Sequence, residues 1–226
     1  MTTTTTTYDD LAGLMRRMTG DEKHDAAADS TLDVLWVLHT RVLAMDPARP
    51  DDPHRDRFYL SKGHGPVAYY AVLAATGWLP HDALDGFAGF DSPLGHHPDR
   101  RLVPGVEISS GSLGHGLALA VGATVGRVLR GHGGRSFVLL GDGELEEGSV
   151  HEAIALAGRL GLGRLTAVVV DNRSAALGWP GGIAARFTGE GWEAEVVDGR
   201  DHDALSRSLD ADHPDRPKVV VAEVLR

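Results

Sequence analysis

Apolar residues recur at helical spacing between residues 30 and 45, where Leu32, Leu35, Leu38, Val42 and Met45 share a face and Asp46-Pro47 ends the pattern. This predicts an amphipathic helix. Residues 47–54 are rich in Pro, Asp and Arg and read as a surface loop, and residues 66–76 return to helical composition. From 86 to 105 the chain is mostly Gly, Pro, Asp and His, too irregular for packed elements and long enough for a functional loop. A long helix is expected over 113–129, where Gly116, Gly122 and Gly126 permit close packing. The second half has another period. Residues 136–140 (SFVLL) and 165–171 (LTAVVVD) are short apolar runs bounded by turn residues, with a helical segment at 150–162 between them, which makes a βαβ unit. Residues 192–197 and 218–224 supply two more strands around a helical stretch at 204–209. Continuous apolar runs of this kind belong to parallel strands covered on both faces. The expected fold class is therefore α/β, a mostly parallel central sheet flanked by helices on both sides. The threonine run at 2–7 has no periodicity, so residues 1–20 are expected to be a flexible leader before one domain spanning 21–226, without repeat or linker.

A length of 226 residues with 42% hydrophobic and 24% charged positions suits one sizeable globular domain. No apolar stretch approaches the roughly 20 residues that span a bilayer, and the N-terminus lacks the blocks of a signal peptide, so no membrane role and a cytoplasmic location are expected. With no cysteine, disulfides and thiolate metal sites are excluded, and a metal must be held by oxygen or imidazole. The net charge of −10 argues against nucleic-acid partners. Twelve histidines are many for this length.

The most informative local feature is GDGELEEG at 141–148, directly after one strand and before a helix. At the carboxyl end of a parallel strand, glycines let backbone amides approach a phosphate, and a helix N-terminus adds positive potential. Asp142 lies thirty positions before Asn172, which follows the next strand, and if the two strands are adjacent or nearly so both side chains project from one sheet edge. Hard oxygen ligands beside a phosphate favour Mg²⁺ or Ca²⁺. GDG alone is more often a tight turn; the strand context and the paired asparagine favour the ligand site.

GDG followed about thirty residues later by Asn resembles the thiamine diphosphate signature. DRFYLSKGHG at 56–65, GHHP at 95–98, PGVE at 104–107 and SGSLGHG at 110–116 resemble successive landmarks of transketolases, in order and interval, over about 31–225. The resemblance implies thiamine diphosphate as cofactor with Mg²⁺, or Ca²⁺ or Mn²⁺ in its place. Asp142 and Asn172 would bind the metal through side chains and Ser174 through its carbonyl. Gly143 would donate its amide to the diphosphate. His64 resembles the histidine over the diphosphate and thiazolium, and His97 the one that binds the donor's first hydroxyl, a role His96 could exchange with it. His24 aligns with a histidine normally set in GHPG, although the surroundings here read KHDA. His115 replaces a residue that is usually glutamine. Gly111 and Leu113 would lie against the cofactor rings. Glu147 and Glu152 resemble paired carboxylates that reach the subunit interface. There they communicate with the partner glutamate that protonates the aminopyrimidine, Glu147 as a proton link and Glu152 as a cofactor-side contact.

The implied activity is transfer of a two-carbon ketol unit from a ketose or its phosphate to an aldehyde. Imidazoles suit that reaction, because carbon–carbon cleavage needs a proton removed from the C3 hydroxyl and hydrogen bonds to oxygens that gain charge. Only the diphosphate-binding domain of the family is matched. The expectation is a split transketolase completed by a second subunit carrying the pyrimidine-binding and C-terminal domains, as an α2β2 heterotetramer. The segment after Asn172 is shorter than usual and the sequence stops before a KGKG-like stretch and a later histidine, which together with the altered GHPG suggests specialised, natural-product metabolism. Alternatives are an acyloin-forming or 2-oxo acid decarboxylating subunit, and a non-catalytic regulatory partner.

Overall fold

Five short strands form one sheet, four of them built on an apolar run long enough to cross a core and no longer. In the computed structural model, which describes residues 6–20 and 25–224, these are β1 (Arg57–Leu60), β2 (Ser136–Gly141), β3 (Leu165–Asp171), β4 (Glu193–Asp198) and β5 (Lys218–Glu223). All pairings are parallel and the order is β1-β2-β3-β5-β4. The helices are α1 (Leu11–Met15), α2 (Asp25–Val37), α3 (Val67–Ala75), α4 (His115–Leu129), α5 (Gly148–Arg159), α6 (Gly182–Thr188) and α7 (His202–Asp210). This is the expected α/β class.

Side chains alternate across the sheet, and each half of the alternation has its own layer of helices. Phe58, Phe137, Leu139, Val168, Val170 and Val220 face a core shared with α1, α2, α3 and α7. Tyr59, Val138, Leu140, Val169, Val219 and Val221 face a second core closed by α4, α5 and α6. β2 is buried along its whole length, which is why it reads as a continuous apolar run. Truncating Leu139 or Leu140 to alanine there costs about 2–5 kcal/mol. β4, at the edge, is mostly exposed and carries Glu193, Glu195 and Asp198, charges that blunt pairing with other chains.

The structure departs from the sequence expectation in three places. Residues 8–18 are not a loose leader: Leu11, Leu14 and Met18 are buried in the first core. Tyr8 donates its hydroxyl to buried Asp33 at 2.7 Å, and Asp33 also meets His202 at 2.7 Å and forms an ion pair with Arg200. That knot fastens the N-terminal segment to α2 and to the loop before α7. The helix expected over 30–45 begins at Asp25 and ends in a single π-helical turn, Leu38–Val42. β1 has no counterpart among the strands expected from the pattern, being four residues long. The segment 87–114 contains no helix or strand, and it takes in nearly all of the stretch 86–105 expected to be irregular. Among the described residues no helix is long and apolar enough to cross a membrane.

Candidate active site

Parallel pairing puts the carboxyl ends of β1, β2 and β3 on one edge, with Leu60 beside Leu139 and Gly141 beside Val170. The loops leaving these strands therefore meet. Asp142, immediately after β2, is 2% exposed, and its carboxylate gathers four donors. Oδ1 accepts from the Gly143 amide at 2.9 Å and the Ser174 hydroxyl at 2.5 Å. Oδ2 accepts from the amides of Ser174 at 2.6 Å and Ala175 at 3.0 Å. The Ser174 amide also reaches Asn172 Oδ1 at 3.2 Å. Asp142, Gly143, Asn172 and Ser174 are thus one cluster. A Cβ on Gly143 would lie 3.7 Å from the Ser174 hydroxyl oxygen and 3.8 Å from its carbonyl oxygen, so the two residues stand in van der Waals range.

The donor set fits a divalent cation in kind. A carboxylate, an amide oxygen and a main-chain carbonyl are hard oxygens suited to Mg²⁺ or Ca²⁺. Among the described residues no group of three or more His, Asp or Glu could hold a metal alone. One carboxylate with neutral oxygens needs a further anion, and a diphosphate is such an anion. Beside the cluster, a cavity of about 860 Å³ is lined by Asp29, Ser30, Asn172, Arg173, Ser174 and Arg200.

Leaving β1, the chain runs through Ser61, Lys62 and Gly63 to His64. The His64 and His97 rings are 6.0 Å apart, both on exposed residues, whereas His96 packs edge-on against Phe87 at 5.4 Å. Of the adjacent histidines, then, His97 is the one beside His64. Gly111 lies under His97: a Cβ there would come within 2.9 Å of the imidazole Cδ2, and φ is +127°. Gly63 is as tight, since its Cβ would meet the Gly111 amide at 2.8 Å. These glycines let two loops and an imidazole approach at backbone distance. Leu113 is 40% exposed beyond them. Gly114 then starts α4 in the left-handed region, and the exposed His115 holds the Ser112 hydroxyl at 2.9 Å through Nδ1.

Glu147 is the N-cap residue of α5 and packs against Gly114, where a Cβ would come within 2.6 Å of its own. Glu147 is half-buried and Glu152, on α5, is exposed. His24 lies outside the described residues. The buried acid is Glu144, 2% exposed, which the motif alone does not single out. Burial pushes its carboxyl up, offset by hydrogen bonds from Ser61 and Gly114 and by the charge of Lys62. Lys62 is also buried enough to bring its ammonium down to about 8, against the pull of Asp142 and Glu144, and its Nζ donates to the Ala27 carbonyl at 2.9 Å.

Residues 18–224 match the family described as transketolase, thiamine diphosphate binding domain. The chain belongs to that transketolase family. It is 35% identical over 210 residues to one of the subunits of the apulose-4-phosphate transketolase of Actinobacillus succinogenes, covering 90% of this chain and 76% of that protein. It is 56% identical over 220 residues to a protein of Rhodococcoides fascians named ferredoxin fas2, covering 97% of this chain and 72% of that one. Iron–sulfur clusters of ferredoxins are held by cysteine thiolates, and this sequence has no cysteine. Among solved structures, transketolase from Leishmania mexicana superposes with a TM-score of 0.77 at 26% identity, over 97% of this chain. This transketolase domain spans 37% of that chain, and about three-quarters of the subunit-sized relatives.

Proposed function

We propose that this chain is the diphosphate-binding subunit of a two-subunit transketolase-type enzyme, which moves a two-carbon ketol unit from a ketose or ketose phosphate to an aldehyde acceptor. The observation that carries the proposal is the meeting, at one sheet edge, of the Asp142, Asn172 and Ser174 oxygen cluster with the His64, His97 and Gly111 cradle. Asp142, Asn172 and the Ser174 carbonyl would hold the divalent cation, and the Gly143 amide would meet the diphosphate. Bound there, thiamine diphosphate supplies the carbanion chemistry that amino-acid side chains lack.

This chain's own residues do the rest. His64 and His97 present two imidazoles to one space, where one can accept the C3 hydroxyl proton while the other donates to the neighbouring oxygen. Leu113 offers an apolar surface that excludes water from the reacting carbon. Glu147 and Glu152 stand at the start of α5 and would pass a proton between paired sites once a partner covers them.

A separate partner is part of the proposal. Leu119 on α4, Leu156 on α5 and Leu160 just after it are 49%, 50% and 51% exposed, and exposed apolar surface of this kind fits an interface. The subunit-sized relatives, one of them named as a transketolase subunit, support a second polypeptide. In this proposal it carries the pyrimidine-binding and C-terminal domains and assembles with this chain as α2β2. The test is to produce both subunits together, add thiamine diphosphate and Mg²⁺, and assay ketose phosphates and pyruvate as donors with a set of aldehydes. Ketol transfer that vanishes in Asp142→Ala is expected. Pyruvate as the sole donor, or full activity in Asp142→Ala, would refute the proposal.

A further inference from the structure

Glu144 occupies the short 3-10 turn Gly143–Glu146 that follows β2. Its Oε1 accepts the Ser61 hydroxyl in a short hydrogen bond and the Gly114 amide at 3.0 Å. The Ser61 hydroxyl oxygen in turn accepts from the Gly116 amide at 3.0 Å. Packing leaves these groups no slack, because a Cβ on Gly116 would fall 2.3 Å from Ser61 Oγ and Gly114 has a φ of +82°.

The three connected segments are the ones that carry the cofactor cradle. Ser61 is three residues before His64, Gly114 directly follows Leu113 and is three residues after Gly111, and Glu144 is two residues after Asp142. One oxygen atom is therefore shared by loops from β1, from the segment before α4, and from β2. The other oxygen, Oε2, is buried without a hydrogen-bond partner. A core built only for stability would avoid that expense with an apolar residue of similar volume.

We infer that Glu144 is a positioning residue, whose Oε1 sets the separation of the His64, Gly111–Leu113 and Asp142 loops so that the cofactor meets all three at once. The inference rests on the cofactor reading above and adds a residue to it. Two donors held by one acceptor cannot drift apart, and misplacement of about 1 Å in a reacting geometry can cost 100-fold in rate. The role needs an acceptor at Oε1 and no charge, so glutamine should serve and alanine should not.

The experiment uses this chain co-produced with its partner subunit, and measures the thiamine diphosphate Kd by fluorescence quenching, melting temperature, and amide exchange at Gly114 and Gly116. Glu144→Ala is expected to weaken cofactor binding at least tenfold and to speed exchange at both amides, with Glu144→Gln within about threefold of wild type. Ser61→Ala is expected to weaken binding likewise, and the Ser61→Ala/Glu144→Ala pair to be no worse than Glu144→Ala. Should Glu144→Ala fail to fold, Ser61→Ala and Glu144→Gln carry the test. Wild-type affinity in Glu144→Ala or Ser61→Ala, or Glu144→Gln as weak as alanine, overturns the inference alone. A wild-type complex that binds no thiamine diphosphate overturns the cofactor reading and this inference with it.

Discussion

Replacing Asp142 with alanine removes the acceptor of four hydrogen bonds, three of which hold Ser174 and Ala175 against the end of β2. A hydrogen bond to a charged group contributes about 1.5–3 kcal/mol. The donors lie on half-buried or exposed residues where water can take over, so the full sum does not apply. Part of the gain is also offset by the burial of a carboxylate, whose charge Lys62 partly balances. A net loss of about 2–4 kcal/mol remains. For a chain of this length each kcal/mol shifts the melting temperature by about 2–4 °C, so a fall of roughly 4–16 °C is expected. Asp142→Asn should fall about half as far, since its carbonyl keeps one pair of donors while its NH₂ group opposes the other. The assay is thermal or urea unfolding of the full chain without thiamine diphosphate or Mg²⁺, which isolates the protein network from ligand binding. A melting temperature for Asp142→Ala within 1–2 °C of wild type, or above it, would refute the reasoning that this carboxylate pins the 172–175 loop.

Further tests address pH, geometry and assembly. His39 packs between Phe58 and Tyr69 with a buried, unpartnered Nε2, and burial brings its imidazole down to about 4 from 6.5. The folded state thus binds the proton less readily than the unfolded one. Stability from this residue is present above about pH 6.5 and is lost as pH falls to about 4, by up to roughly 3 kcal/mol. In His39→Leu the urea midpoint should be less sensitive across that window, and an unchanged pH slope would refute the assignment. Gly111→Ala would press a Cβ onto His97 in a left-handed backbone, so ketol transfer should drop at least tenfold while stability falls by only about 1–2 kcal/mol; steady-state rates and melting together check this, and unchanged rates would count against it. Leu156→Asp/Leu160→Asp should abolish co-purification with the partner without lowering the melting temperature of the chain alone, and retained association would refute the interface.

Three of the four strands read from the sequence are almost completely buried, and the fourth, β4, is an exposed edge strand that still shows a short apolar pair, Val196-Val197. β2, β3 and β5 lie in the middle of the sheet under two layers of helices, so nearly every position is apolar and the run stands out. β1 is an edge strand bounded by Arg57 and by the Ser61-Lys62 pair, and its short apolar core drowns in residues selected for other work. The N-terminal segment escaped notice for a related reason. Its anchoring depends on Tyr8, Asp33, Arg200 and His202, polar residues far apart in the chain whose pairing only the fold creates. The site shows the same division. Asp142 and His64 lie in glycine-bearing motifs after β2 and β1, Asn172 directly follows β3, and His97 sits in GHHP within the 87–114 loop, local patterns with a local meaning.

Glu144 is different, because GDGELEEG contains three glutamates that composition cannot rank. The 3-10 turn separates them: Glu144 points inward to Ser61 and Gly114, Glu146 takes the Leu177 amide at 2.6 Å, and Glu147 stands at the N-cap position of α5 beside Gly114. Each then meets a segment more than thirty positions away, or nearly so, and none of those contacts leaves a period in the sequence. Motifs marked by chemistry can therefore be found from residue order alone, whereas the residues that hold such motifs in register emerge only where distant loops close on a shared atom.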